Sequence, residues 1–131
     1  MKRPILACIT AQPHCERIVN TAKKLALSLS TDLYVVTVLP IKETAQERAM
    51  KLKCLKEISE NMDVDIIIRY SDNPVTSVAA QAKLCQPLHI FIGEDNGFLN
   101  KLFLEYNKAP ISVVSKNIVF TIPAPEEIKG A

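Results

Sequence analysis

The chain has 131 residues, 48% of them hydrophobic, with 16 basic and 14 acidic side chains and a formal net charge of +2. That length suits one domain able to bury its own core, with residues 123–131 as a tail, and the balanced charge gives no electrostatic case for nucleic acid or an anionic membrane. No apolar run reaches the roughly 18 residues a membrane span requires, and Met1-Lys2-Arg3-Pro4 leads into too short an apolar stretch for a secretory signal, so a cytoplasmic protein is expected.

Ile5 to Thr10 is a short β-rich apolar run that reads as a buried strand. From His14 to Ser30, Ile18, Ala22, Leu25, Ala26 and Leu29 fall on one helical face. Leu33 to Leu39 forms a second buried strand, closed by Pro40. Glu43 to Met62 is a second helix, with Ala49, Leu52, Leu55, Ile58 and Met62 on one side, and Val64 to Arg69 is a third strand. In Ser71-Asp72-Asn73-Pro74, Asn73 suits an N-cap and Pro74 the first helical position, where its missing N–H costs nothing. Val75, Val78, Ala79, Ala82 and Cys85 supply that helix's inner face, and Pro87 stops it. Leu88 to Ile92 is a fourth strand ending at Gly93, Phe98 to Tyr106 a shorter helix, and Ile111 to Val114 a fifth strand. Asn117 to Ile122 is a candidate sixth. Strands of continuous rather than alternating apolarity, separated by helices, predict a parallel sheet covered on both faces: a three-layer α/β domain with five strands in its sheet.

The motifs of several such families are missing. No glycine follows the first strand, where Thr10-Ala11-Gln12-Pro13-His14 stands, which excludes the dinucleotide fingerprint; the phosphate loop ending in Gly-Lys-Ser/Thr is absent too. No acidic pair precedes Thr10 to hold Mg²⁺ as a phospho-acceptor domain would. Cys8, Cys15, Cys54 and Cys85 form no zinc spacing with His14 and His89, and reduced thiols are expected. Cys15, at the start of the first helix beside His14, is a candidate reactive thiol, but no orienting group can be named and a semi-exposed, inert cysteine is the favoured explanation. His89 inside a strand reads as a core histidine, and Lys51, Lys53, Lys56 and Glu57 as a solvated helix face.

Thr10 to Ile18 running into Ala22-Lys23-Lys24-Leu25-Ala26, together with Leu33 to Pro40, Ser71 to Pro74 and Leu88 to Gly93, resembles the universal stress proteins over roughly residues 4 to 115. The Cys15-Glu16-Arg17 opening is similar to the stress-protein-like module of potassium-responsive sensor kinases. The resemblance implies the open sheet of adenine-nucleotide α-hydrolase-like, Rossmann-like folds, whose strand order reverses between the first and fourth strands. Ligands of such sheets bind outside the strand carboxyl ends at that reversal. It therefore implies a nucleotide site made of Thr10, Ala11, Gln12, Val38, Gly93, Asn96 and Gly97. Members that bind ATP carry Gly-x-x-Gly and, about nine residues on, Gly-Ser or Gly-Thr, because glycine lets backbone N–H groups approach phosphate. Here the loop reads Gly93-Glu94-Asp95-Asn96-Gly97, and Glu105-Tyr106 aligns with the second motif. Plain turn chemistry also explains both glycines.

Three carboxylates near a triphosphate, each costing on the order of 1 to 4 kcal/mol, predict weak ATP or AMP binding at best and favour an uncharged or cationic ligand, or none. The expected function is a non-enzymatic stress-response or signalling module with a degenerate loop and no certain cofactor. The alternatives are a binder of ATP, AMP or a cyclic dinucleotide with slow hydrolase activity, a thiol chemistry at Cys15, and a partner-binding subunit using the proline-rich tail. The family's habit of dimerising through its last strand implies a homodimer through Ile111, Ser112, Val113 and Val114, with a sensor kinase or other signalling protein as a further partner. The same segment could instead fold back as a hairpin turning at Lys116-Asn117.

Overall fold

The computed structural model describes residues 3–10, 15–93, 97–116 and 118–125. Its elements in chain order are β1 (Ile5–Ile9), α1 (Glu16–Ser28), β2 (Leu33–Leu39), α2 (Ala45–Met62), β3 (Ile66–Tyr70), α3 (Pro74–Cys85), β4 (His89–Gly93), α4 (Phe98–Glu105), β5 (Ile111–Val114) and β6 (Val119–Ile122). They build one sheet of order β3-β2-β1-β4-β5-β6. Strands β1 to β5 are mutually parallel, and β6 pairs antiparallel with β5. The sheet is thus six-stranded and mixed, not five-stranded and parallel: the hairpin that reverses at Ser115–Ile118, where Ser115 N donates to Ile118 O at 2.9 Å, adds a strand the parallel pattern did not require.

Alternation along β1 divides the core. Ile5, Ala7 and Ile9 face α1 and α2, meeting Ile18, Val19, Ala22, Leu55 and Ile58. Leu6 and Cys8 face α3 and α4, meeting Val78, Ala79, Ala82 and Leu102. Every β1 residue is buried because β2 and β4 flank it and helices cover both faces, which is why its sequence is continuously apolar. Each fully buried Ile or Leu contributes about 1.5–3 kcal/mol over leaving it exposed.

The helix starts follow their caps. Thr44 Oγ1 accepts from Glu47 N at 3.1 Å, the N-cap bond that starts α2, and also donates to Glu47 Oε1. Asn73 Oδ1 accepts from Thr76 N at 3.2 Å ahead of Pro74, as the Asn-Pro pair predicts for α3. Among the described residues no helix is long and apolar enough to cross a membrane.

The Ile111–Val114 edge, expected to pair with a second chain, is taken within this chain by β6, with Ile111 opposite Ile122 and Val114 opposite Val119. The sheet's outer edge on that side is β6, where Val119 and Phe120 are 50% and 57% exposed. A hydroxyl chain ties the hairpin down: His89 Nε2 lies 2.6 Å from Ser112 Oγ, which lies 2.7 Å from Thr121 Oγ1. His89 also stacks on Phe91, as a histidine inside a strand was expected to be accommodated.

Candidate functional site

Strand order reverses at β1 and β4: the chain runs outward from β1 to β2 and β3 on one side, and from β4 to β5 on the other. The loops leaving the two central strands diverge there, so the carboxyl end of the sheet opens into a crevice. A cavity of about 660 Å³ occupies it, within the range typical of small-molecule sites.

Of the seven residues expected here, Thr10, Val38 and Gly93 line the cavity. Ala11, Gln12 and Asn96 lie outside the described residues. Gly97 is not among the lining residues; it is the N-cap of α4, at φ 84°, and Phe98 beside it faces the cavity. That left-handed backbone explains the glycine, since a side chain there is strained. Gly93 has a different reason: a Cβ built on it would stand 2.8 Å from Ile18 Cδ1. Both glycines therefore have local structural causes, independent of any phosphate.

Glu105 is not at the site. It ends α4 and Tyr106 is the C-cap, so the helix start that could face a ligand is Gly97-Phe98, at the opposite end. The Glu105 carboxylate accepts from Thr76 Oγ1 at 3.1 Å, in the first turn of α3. Glu105 is not among the residues lining the cavity; Glu94 and Asp95 fall outside the described residues. The two charged side chains among the described lining residues are cations, Arg17 of α1 and Lys116 just past β5.

Cys15 lines the cavity but is 2% exposed. Its Sγ–H donates to the Thr10 carbonyl at 2.9 Å, and Sγ lies 3.3 Å from Thr10 Oγ1. The thiol therefore ties the end of β1 to the start of α1, which is a positioning role. Burial pushes the Cys8 thiol far above its ordinary range, and Cys54 and Cys85 are also raised, chiefly by burial.

Sequence reasoning missed Thr37, Arg17, Ser115 and Lys116 as wall residues. Signals existed for some of them. Ser115 and Lys116 directly follow a parallel strand, where such sites lie, and Thr37 is a polar residue near the carboxyl end of Leu33–Leu39. Arg17 offered none beyond its place near a helix start.

The architecture is an open α/β sheet with a mixed-polarity cavity at its switch point. Comparison with solved structures places the fold among the universal stress proteins. A universal stress protein of Archaeoglobus fulgidus in complex with dAMP superposes with a TM-score of 0.65 at 18% identity, covering 87% of this chain and 97% of that one. A universal stress protein in complex with cAMP gives 0.64 at 13% identity, covering 88% and 98%. A Pseudomonas aeruginosa protein described as a universal stress protein gives 0.73 at 14% identity over 86% of this chain, which spans only 47% of that one's length. No protein-family model matches the sequence, and no curated protein matches it significantly.

Proposed function

We infer that this chain is a universal stress protein-like module that binds a nucleoside monophosphate at the β1/β4 crevice and acts in stress response or signalling without turning the nucleotide over. The observation that carries this is the cavity of about 660 Å³ bearing Arg17 and Lys116. An apolar wall from Ile18, Val38, Ile92 and Val114 accommodates a base and sugar, and the two cations suit an anionic group. The dAMP and cAMP complexes of structural neighbours support the same ligand class. The non-enzymatic reading rests on the chemistry of the described wall. It offers hydroxyls, cations and a thiol whose hydrogen is committed to Thr10, and none of these is a general base suited to neutral pH. The stretch Gly93-Glu94-Asp95-Asn96-Gly97 carries two carboxylates and departs from the Gly-x-x-Gly spacing, which disfavours a β- or γ-phosphate.

Calorimetry with AMP, cAMP, ATP and a cyclic dinucleotide tests this. AMP is expected to bind in the micromolar range and ATP no more tightly, with Arg17→Ala and Lys116→Ala each weakening AMP. Silence with every nucleotide would remove the ligand assignment, and sub-micromolar ATP would remove the depleted-loop argument.

Self-association through the last strand belongs to the same proposal, now moved to β6. Exposed Val119 and Phe120 on an edge with unpaired backbone groups support it. Sedimentation of the wild type against Phe120→Lys decides it: a monomeric wild type defeats the dimer. A sensor kinase or related signalling protein remains the proposed partner class, on the Cys15-Glu16-Arg17 similarity alone.

A further inference from the structure

Strand β3 is the sheet's outer edge on the side away from β6. Its Ile67 packs into the α3 side of the core, and Arg69, two residues on, meets α3 itself. Arg69 Nε donates to Ser77 Oγ at 2.9 Å, and Nη1 donates to Gln81 Oε1 at 2.9 Å. Ser77 and Gln81 stand one helical turn apart and are 7% and 9% exposed, so buried groups hold the guanidinium at two points. Arg69 is half-buried and lines a recess of about 480 Å³ together with Ser71, Thr76 and Ser77. This recess shares no wall residue with the β1/β4 crevice. Helix α3 stands between them, with Pro74 and Val78 on the crevice and Thr76 and Ser77 on the recess.

A tie between β3 and α3 accounts for the two bonds but not for the charge. Both partners are neutral. The ion pairs among the described residues are Lys51–Glu43 and Lys56–Glu60, so no carboxylate there neutralises Arg69. The two nearby carboxylates are engaged elsewhere: Asp72 Oδ1 accepts from Ile41 N at 3.2 Å, and Glu105 Oε2 accepts from Thr76 Oγ1 at 3.1 Å. A half-buried cation without a counter-charge is unfavourable.

The hydrogen-bond inventory says what is wanted. Ser71 and Thr76 spend their hydroxyl hydrogens on Asn73 O and Glu105. Ser77 Oγ accepts from Arg69 and keeps its own hydrogen, and Arg69 Nη2 has no protein acceptor among the described residues. A fixed guanidinium with a hydroxyl hydrogen beside it is a donor set that an oxyanion completes. The two donors come from different elements, a strand and a helix. A tetrahedral phosphate accepts along several directions, whereas a carboxylate accepts in one plane.

We propose that this recess is a second binding site, for the phosphate group of a small molecule, with Arg69 Nη2 and Ser77 Oγ donating to the phosphate oxygens. It is independent of the crevice and of the nucleotide reading.

The test is a titration of the full chain with inorganic phosphate, glycerol 3-phosphate and acetate, followed by NMR at the Arg69 Nε–H and the Thr76 and Ser77 amides. Phosphate is expected to move these resonances saturably. Arg69→Gln should weaken that binding about tenfold or more, the worth of a charge-assisted hydrogen bond, and Ser77→Ala about threefold. Arg17→Ala should leave it unchanged. Tighter binding of glycerol 3-phosphate supports the site with a small organic phosphate as occupant; equal or tighter binding of inorganic phosphate supports it with the free anion. Shifts that are absent or do not saturate overturn the proposal, as does acetate binding as tightly as phosphate. Shifts lost in Arg17→Ala overturn it too, since the phosphate is then in the crevice. Ser77→Ala keeps the cation and decides the matter if Arg69→Gln does not fold: undiminished phosphate binding by it overturns the site.

Discussion

Gly93 closes β4 where the sheet meets the cavity, and the reason for a glycine there is one methyl group. A Cβ at this position would lie 2.8 Å from Ile18 Cδ1, while the next atom, Ile18 Cγ1, is 3.9 Å away in ordinary contact. Alanine therefore conflicts only with the flexible end of Ile18, which must turn about its outer torsion. An off-rotamer side chain costs about 0.5–1.5 kcal/mol, and alanine recovers about 0.5–1 kcal/mol over glycine inside a strand. Gly93→Ala should thus destabilise the fold by no more than about 1 kcal/mol. Ile18→Val removes Cδ1 itself and costs about 0.5–1.5 kcal/mol on its own. With no Cδ1 to displace, alanine at position 93 should cost nothing in the valine background. The double variant is then about 1 kcal/mol more stable than the sum of the singles predicts, a coupling well above the noise of such cycles. Urea unfolding of the four proteins at constant m-value measures it. Because Ile18 also lines the cavity, Gly93→Ala should weaken AMP binding and Ile18→Val should restore it. Additivity within about 0.5 kcal/mol would refute the close-approach explanation of Gly93.

Burial holds the His89 imidazole below its ordinary value of 6.5. Its neutral form is favoured in the folded state, so its contribution is complete above pH 6.5. That contribution falls away as the pH drops from there through the folded value, while the unfolded chain takes up the proton first. Urea midpoints of wild type and His89→Gln between pH 7.5 and 5 should diverge, the wild type losing more; parallel curves would contradict this. Leu102 is the fully buried residue by which α4 docks on the sheet, so Leu102→Ala should cost about 2–5 kcal/mol in unfolding free energy. Asn73→Ala removes the side-chain acceptor from Thr76 N and should cost about 1 kcal/mol, read as a lower urea midpoint, whereas Asn73→Asp should be nearly neutral.

Local physics made much of the fold legible in the sequence. The runs Leu33–Leu39 and Ile111–Val114 became strands with those bounds, because a strand covered on both faces has no position for a charge. Asn73-Pro74 placed the start of α3 because capping and the fixed proline torsion act within one turn. The first strand stops one residue before Thr10, and the third begins two residues after Val64 and runs one residue past Arg69, to Tyr70. The position of the cavity was legible for a topological reason: Thr10 follows β1 and Gly93 ends β4, the two strands between which the order reverses.

Only the tertiary structure decided the rest. Glu105 was assigned to the site by counting residues along the chain, but counting cannot tell one end of a helix from the other when the loop before it is short. Whether Ile111–Val114 was an edge depended on whether Val119–Ile122 folds back on it, which it does in antiparallel register. Arg17 and Lys116 come from a helix and a strand end spread over a hundred residues. The sequence determined them as an ordinary arginine and an ordinary lysine. Strand order brought them to one cavity, because the spacing between strands, and not between residues, sets what a ligand can touch.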